Sequence, residues 1–195
     1  MKKLFTLLLA GGLVASSFNA KAQQESGEIV TGAQVGWSLI GGLAKAVSDN
    51  IKVSPVIQAA GDYGITDNFS VGFATSIQTI KYNEFGYYVD QNFNRIYGEA
   101  DLNIKIFTAG IRTLFHYGNS ENFDMYSGLR ATYANISINS SIDGWETGAN
   151  FKGSGPALQV ILFGARAYFN DFIGANFEVG IGKPYVFAAG TSIRF

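Results

Sequence analysis

Hydrophobic and polar positions alternate with period two along most of this 195-residue chain, the spacing that places alternate residues on one face of a β-strand. Eight such segments can be placed, at 28–40, 51–65, 69–82, 97–117, 122–138, 157–169, 172–182 and 185–195. In the third, Phe69, Val71, Phe73, Thr75 and Ile77 share one side, and Ser70, Gly72, Ala74, Ser76 and Gln78 the other. The seventh sets Ile173, Ala175, Phe177, Val179 and Ile181 against Gly174, Asn176, Glu178 and Gly180. The eighth sets Tyr185, Phe187, Ala189, Thr191, Ile193 and Phe195 against Val186, Ala188, Gly190, Ser192 and Arg194. A face of glycine, alanine and serine makes a poor solvated coat but can line a narrow, crowded barrel interior. The bulky face then points outward, the reverse of a soluble ligand-carrying barrel, and is expected to meet lipid.

Connection lengths add a topology. Thr66-Asp67-Asn68, Gly118 to Glu121 and Asn170-Asp171 are short polar turns, whereas Gly41 to Asn50, Asn83 to Ile96 and Asn139 to Pro156 are long. Only the connection at Gly182-Lys183-Pro184 departs from this alternation. The pattern predicts an all-β fold: an eight-stranded antiparallel up-and-down transmembrane barrel, with turns at one end and loops at the other. Aromatic girdles are expected where the strands leave the membrane. Tyr63, Phe69, Phe115, Tyr117, Phe123, Phe169 and Phe195 are assigned to the turn end, and Trp37, Tyr82, Tyr133 and Tyr185 to the loop end.

The first residues carry a different signal. Met1-Lys2-Lys3 is basic, Leu4 to Val14 is apolar, and Ala20-Lys21-Ala22 offers small residues before a cut between Ala22 and Gln23. This is the order of a secretory signal peptide, so residues 1–22 are expected to be removed and 23–195 to form the barrel domain. Ser16, Ser17, Asn19 and Lys21 interrupt the run before the roughly 20 apolar residues that a spanning helix needs. With no cysteine anywhere, disulfides, thiolate metal sites and a lipidated amino terminus are excluded. Of 14 basic residues, Lys2, Lys3 and Lys21 leave with the leader; the rest, against 15 acidic residues, give a net charge of −4. That balance argues against a nucleic-acid partner.

Two stretches carry a family likeness. Gly190-x-x-Ile193-x-Phe195 resembles the carboxy-terminal assembly signal of bacterial outer-membrane barrels, and Tyr63-Gly-Ile-Thr-Asp-Asn-Phe-Ser-Val-Gly72 resembles a turn common in such barrels from Bacteroidota. The chain is similar to the small eight-stranded outer-membrane proteins of Gram-negative bacteria, the group of the OmpA transmembrane domain and the OmpX-like proteins. The resemblance implies an outer-membrane location, outer-membrane lipid as surroundings and the barrel assembly machinery as a partner.

The small-residue face also carries charge: Asp62, Arg112, Asp124, Arg130, Arg166, Glu178 and Arg194. Unpaired, each would cost several kcal/mol, roughly, so a salt-bridged interior is expected. Eight strands leave space for little beyond side chains, which favours a plugged lumen over a charged ion path. His116 is the only histidine, and its sequence neighbours Ser120 and Glu121 are ordinary turn residues. No nucleophile–base–orienter set can be assembled around it; no enzyme activity, metal or cofactor is expected. Family-specific function belongs to the long loops. Tyr87, Tyr88 and Phe93 in the second and Trp145 in the third either contact an extracellular protein or glycan, or pack on one another. The reading is a non-enzymatic structural or surface-interaction barrel, with a narrow pore or small-solute channel as alternative and a lipid-modifying enzyme behind both.

Overall fold

The computed structural model describes residues 24–48, 50–89, 95–117, 120, 122–142 and 150–195. The expected leader and its Ala22–Gln23 cut lie outside the described residues. Among the described residues, nine strands and one helix follow in order: β1 (Ile29–Trp37), α1 (Leu39–Val47), β2 (Ile51–Val53), β3 (Val56–Thr66), β4 (Phe69–Val89), β5 (Arg95–His116), β6 (Phe123–Ile142), β7 (Asn150–Tyr168), β8 (Ile173–Gly182) and β9 (Phe187–Arg194). All pairings are antiparallel. They run β4–β3–β1–β9–β8–β7–β6–β5, and β5 pairs again with β4. The sheet is therefore a closed eight-stranded barrel, as the alternation predicted, and every backbone group along its ring has a ladder partner to find.

The ninth strand belongs to the same ring. Ser54-Pro55 interrupts the second predicted segment, because proline has no N–H to give to a ladder. The Ser54 amide still donates to the Thr79 carbonyl at 2.8 Å, and the Ser54 hydroxyl accepts from the Thr79 amide at 2.9 Å. β2 then continues alongside β4.

Burial follows the alternation. In β8, Gly174, Asn176, Glu178 and Gly180 are buried, while Ile173, Phe177 and Ile181 face out. The glycines permit close approach where it matters. A Cβ on Gly164 would lie 2.1 Å from Tyr126 Cε2, and one on Gly190 would lie 1.9 Å from the Ala33 carbonyl oxygen, where β9 meets β1. Period two breaks once on β7: its pairing with β8 shifts between Ile161 and Phe163, leaving both Leu162 and Phe163 facing outward.

Several sequence expectations need correction. The segment from Gly41 to Asn50 is not a plain loop, since α1 occupies most of it. Its N-cap is Ser38, whose hydroxyl accepts from the Gly41 amide at 2.9 Å, as N-caps do. The other two long connections are shorter than expected, because β4 and β5 pair as far as Val89 and Arg95, and β6 and β7 as far as Asn139 and Asn150. Added residues such as Asn83 on β4 and Asn139 on β6 are polar at outward positions, so pairing continues where apolar alternation has stopped. Tyr87 and Tyr88 lie in this extension of β4; Phe93 and Trp145 lie outside the described residues.

Trp37 and Tyr133 are exposed at the loop end, with Trp37 stacked on Phe187 at 5.0 Å. Tyr185 is not in that girdle: it is buried in the lumen, because the regular ladder of β9 starts only at Phe187 and the strict alternation does not extend back to it. Tyr82 is half-buried, on the same face of β4 as the buried Ile80, with its hydroxyl on Glu84. At the turn end Tyr63, Phe69, Phe115, Phe123, Phe169 and Phe195 are exposed, and Tyr117 is half-buried with its hydroxyl 3.1 Å from Ser127.

The outward position of Phe177, 41% exposed, generates the first test. Phe177→Arg should destabilise the barrel in lipid vesicles by about 2–4 kcal/mol, the cost of a charge on a lipid-facing strand near the middle of the band. Urea titration of refolded protein measures it, and a neutral substitution would contradict the outward apolar face.

Candidate functional site

The polar face of the barrel converges on one cluster in the lumen. Three arginines (Arg112 on β5, Arg130 on β6, Arg166 on β7) meet three carboxylates (Asp62 on β3, Asp124 on β6, Glu178 on β8), and none of the six is more than 3% exposed. Charge balances within the set. Arg112 grips Asp62 with two parallel bonds, Nε to Oδ1 at 2.6 Å and Nη2 to Oδ2 at 2.7 Å, the bidentate geometry that favours arginine over lysine. Its Nη1 reaches Glu178 Oε1 at 3.0 Å. Arg166 joins Asp62 to Asp124, donating to the first through Nη2 and to the second through Nη1 at 3.4 Å.

Glu178 is the centre. Its Oε1 accepts from Arg112 and, at 2.9 Å, from the Tyr126 hydroxyl; its Oε2 accepts from Arg130 at 3.1 Å and from the Tyr185 hydroxyl. Four donors from β5, β6 and the approach to β9 thus meet one carboxylate. The Tyr126 ring also lies under the Arg166 guanidinium at 4.6 Å, and that of Tyr185 under Arg130 at 5.1 Å, distances at which cation–π attraction is felt. Toward the loop end the network turns neutral. Gln58 donates to Gln34 at 2.7 Å and to the Tyr185 hydroxyl at 3.0 Å, and Gln159 donates to the Tyr185 carbonyl at 2.6 Å. Beyond it, the space among Ile40, Val56, Ser76, Gln78, Ile106, Thr108, Lys183 and Pro184 measures about 10 Å³, at most enough for one water.

The turn end is closed by other groups. Gln24 reaches inward and its Oε1 accepts from Arg166 Nη1 at 3.1 Å. Arg194 sits apart from the central cluster, at the rim, 3.2 Å from Glu28 Oε1 and 4.3 Å above the Tyr168 ring. Partial burial raises the Glu28 carboxyl above the ordinary carboxylate range, against the pull of Arg194.

Sequence reasoning missed one arrangement here. His116 Nε2 lies 2.8 Å from Ser70 Oγ, and its Nδ1 lies 2.9 Å from Asp124 Oδ1. The serine comes from β4, forty-six positions away in sequence, so inspecting the neighbours Ser120 and Glu121 could not find it. The only available signal was that Ser70, His116 and Asp124 all fall on inward positions near the same turn end. The connectivity is that of a hydrolytic triad, but its surroundings do not serve one. Ser70 and His116 are both 0% exposed, and no substrate carbonyl can approach a hydroxyl sealed between packed strands. The trio extends the lumen network; it does not open it. Among the described residues no cluster of histidine, cysteine, aspartate or glutamate is arranged to hold a metal ion.

No protein-family model matches the chain, and no curated protein matches it significantly. Similar solved structures include Ail, the attachment invasion locus protein of Yersinia pestis (13% identity, TM-score 0.44, covering 87% of this chain and 99% of that one). The amino-terminal β-barrel domain of Pseudomonas aeruginosa OprF is similar at 14% identity and TM-score 0.43, covering 88% of this chain and 100% of that one.

Glu178→Gln should lower stability by about 3–5 kcal/mol, because it leaves Arg112 and Arg130 buried without their shared counter-charge. Glu28→Gln at the rim should cost about 1 kcal/mol or less. Parallel unfolding titrations compare the two, and equal effects would remove Glu178 from its central place.

Proposed function

We propose that this chain is a non-enzymatic barrel of the Gram-negative outer membrane, held there as a structural or surface-interaction protein whose lumen does not conduct. One observation carries the reading: a charge-balanced, hydrogen-bonded interior inside a barrel whose outer surface is apolar. Soluble monomers rarely expose a contiguous apolar patch beyond a few hundred Å², approximately. Here Val35, Ile57, Phe73, Ile77, Ile111, Leu129, Leu158, Phe177 and Ile193, from every strand of the ring, are all substantially exposed. Hydrocarbon is the solvent that such a surface suits, and only a closed barrel lets strands cross it without unpaired backbone. In this reading residues 1–22 direct export, outer-membrane lipid surrounds the band, and the long hairpins at the loop end meet an extracellular protein or glycan.

A filled lumen has a direct electrical consequence. Refolded protein in planar bilayers should show no stable conductance, and breaking the Glu178 cluster should produce irregular leakage. Steady wild-type channels of uniform size would overturn the plugged reading in favour of a narrow pore.

Gly190, Ile193 and Phe195 form the assembly signal in this proposal. Phe195 donates its amide to the Ile29 carbonyl at 2.9 Å and accepts from the Ile29 amide at 3.2 Å, so the last residue is paired with the strand that closes the ring. Deleting Phe195 should reduce the inserted fraction in cells more than it reduces the stability of refolded barrels. Membrane levels equal to wild type would defeat the assembly role and leave Phe195 as an interfacial aromatic.

A further inference from the structure

Lysine is confined to one end of this barrel. Arg112, Arg130 and Arg166 fill the lumen, Arg194 lies at the turn rim and Arg95 is exposed at the loop end, whereas all six lysines after the leader, Lys45, Lys52, Lys81, Lys105, Lys152 and Lys183, stand at the loop end. The turn end carries none; its described charges are Glu25, Glu28, Asp67 and Asp171 against Arg194. Three of the lysines come together. Lys52 on β2 is directly opposite Lys81 on β4, and both are exposed on the outward face. Beside them α1 and β2 enclose a groove of about 390 Å³ lined by Lys45, Ser48, Ile51, Lys52 and Val53.

This pair of like charges is unanswered. Directly opposed like charges on neighbouring strands are destabilising, yet among the described residues no carboxylate forms an ion pair with Lys45, Lys52 or Lys81. The carboxylates of the same hairpin take other partners. Glu84 accepts from Tyr82, and Asp101 and Glu99 accept from Asn83. Lys45 sits in the last turn of α1, where it offsets the negative end of the helix dipole. Lys52 and Lys81 therefore supply the charge left over for an anion.

Depth says which anion. The outward face of β4 from Phe69 to Ile77 is apolar apart from Thr75, whose hydroxyl donates to the Thr108 carbonyl at 3.0 Å; Thr79 follows, and Lys81 is its first charge. The twelve steps along the strand from Phe69 to Lys81 cover about 40 Å, or about 30 Å along the axis at the usual tilt. An outer-membrane apolar band is about 25 Å tall. Lys81 and its partner then stand just beyond the hydrocarbon, at headgroup level, on the side away from the chain ends. We propose that the groove between α1 and β2, with Lys52 and Lys81, binds the phosphate group of an outer-leaflet lipid headgroup. The site rests on the membrane reading above, and names the lipid chemistry that reading leaves open.

The test compares refolded wild type and Lys52→Gln/Lys81→Gln in vesicles of phosphatidylcholine alone and in vesicles doped with a phosphorylated glucosamine lipid. Binding of that lipid is also followed by native mass spectrometry from detergent. The double variant should bind it about thirtyfold more weakly, from two lysines near an anionic surface, while Lys183→Gln binds as wild type does. In phosphatidylcholine alone the double variant should be at least as stable as wild type, since a like-charge pair has gone. Equal lipid binding by wild type and the double variant would overturn the site. Displacement of the lipid by inorganic phosphate at comparable concentration would also overturn it, making a free anion the ligand. Failure to insert into either vesicle would overturn the membrane reading and the site together, whereas insertion with indifference to the phosphorylated lipid would overturn the site alone.

Discussion

Everything in the interior depends on keeping six ionised groups neutral as a set inside a ring of strands. Glu178 matters most because it is fully buried and shared, accepting from two guanidiniums and two phenols at once. A buried pair is weak evidence for stability when set against apolar packing, but removing one partner of such a pair is costly. The lumen therefore behaves as a unit. Strands β3, β5, β6, β7 and β8 each contribute one or more members, so correct closure of the ring and pairing of the charges require each other. A strand shifted by one residue would turn its charge outward into the apolar band.

The same constraint accounts for the small residues. A barrel of eight strands has little interior, and three arginines with two tyrosines take much of it. Gly164 leaves the space that the Tyr126 ring fills, and that ring in turn donates to Glu178 and lies against Arg166. A methyl group there would displace the phenol from its carboxylate. Small residues on the inward face are thus the counterpart of large polar ones, which is why the lumen face looked weakly polar in sequence yet is filled in the fold.

The barrel was legible because outward-facing and lumen-facing positions differ in size as well as polarity, and period two survives along β4, β8 and most of β9. It failed where either condition lapsed. Tyr185 reads as an outward aromatic only if regular pairing is extended back past Phe187, and the chain there is not yet in the ladder. The upper part of β4 reads as loop because Asn83, Glu84 and Gly86 break the apolar alternation, although the backbone pairs without a break to Val89 and Arg95. Helix α1 was invisible for a different reason: at nine residues it is too short to show a helical period, and the cap hydrogen bond that the Ser38 hydroxyl accepts from the Gly41 amide gives it a start. Which arginine meets which carboxylate needs the register, and register is a property of pairs of strands that no single segment carries.

The separation of lysine from arginine follows from where each can be stable. A guanidinium spreads its charge over a planar fork that two carboxylates can grip from different sides, as Arg112 does between Asp62 and Glu178. An ammonium is compact and strongly hydrated, so it is poorly suited to a lumen packed with side chains and well suited to a wet interface. Its four-carbon stem can lie along apolar surface while the charge stays at the headgroups. In this chain the guanidiniums of Arg112, Arg130 and Arg166 hold the barrel from within, Arg95 and Arg194 stand at its two ends, and the ammonium groups stand at the loop end. The interior is electrically closed, so any attraction the barrel exerts on its surroundings has to come from that outer ring of lysines and from the hairpins above it.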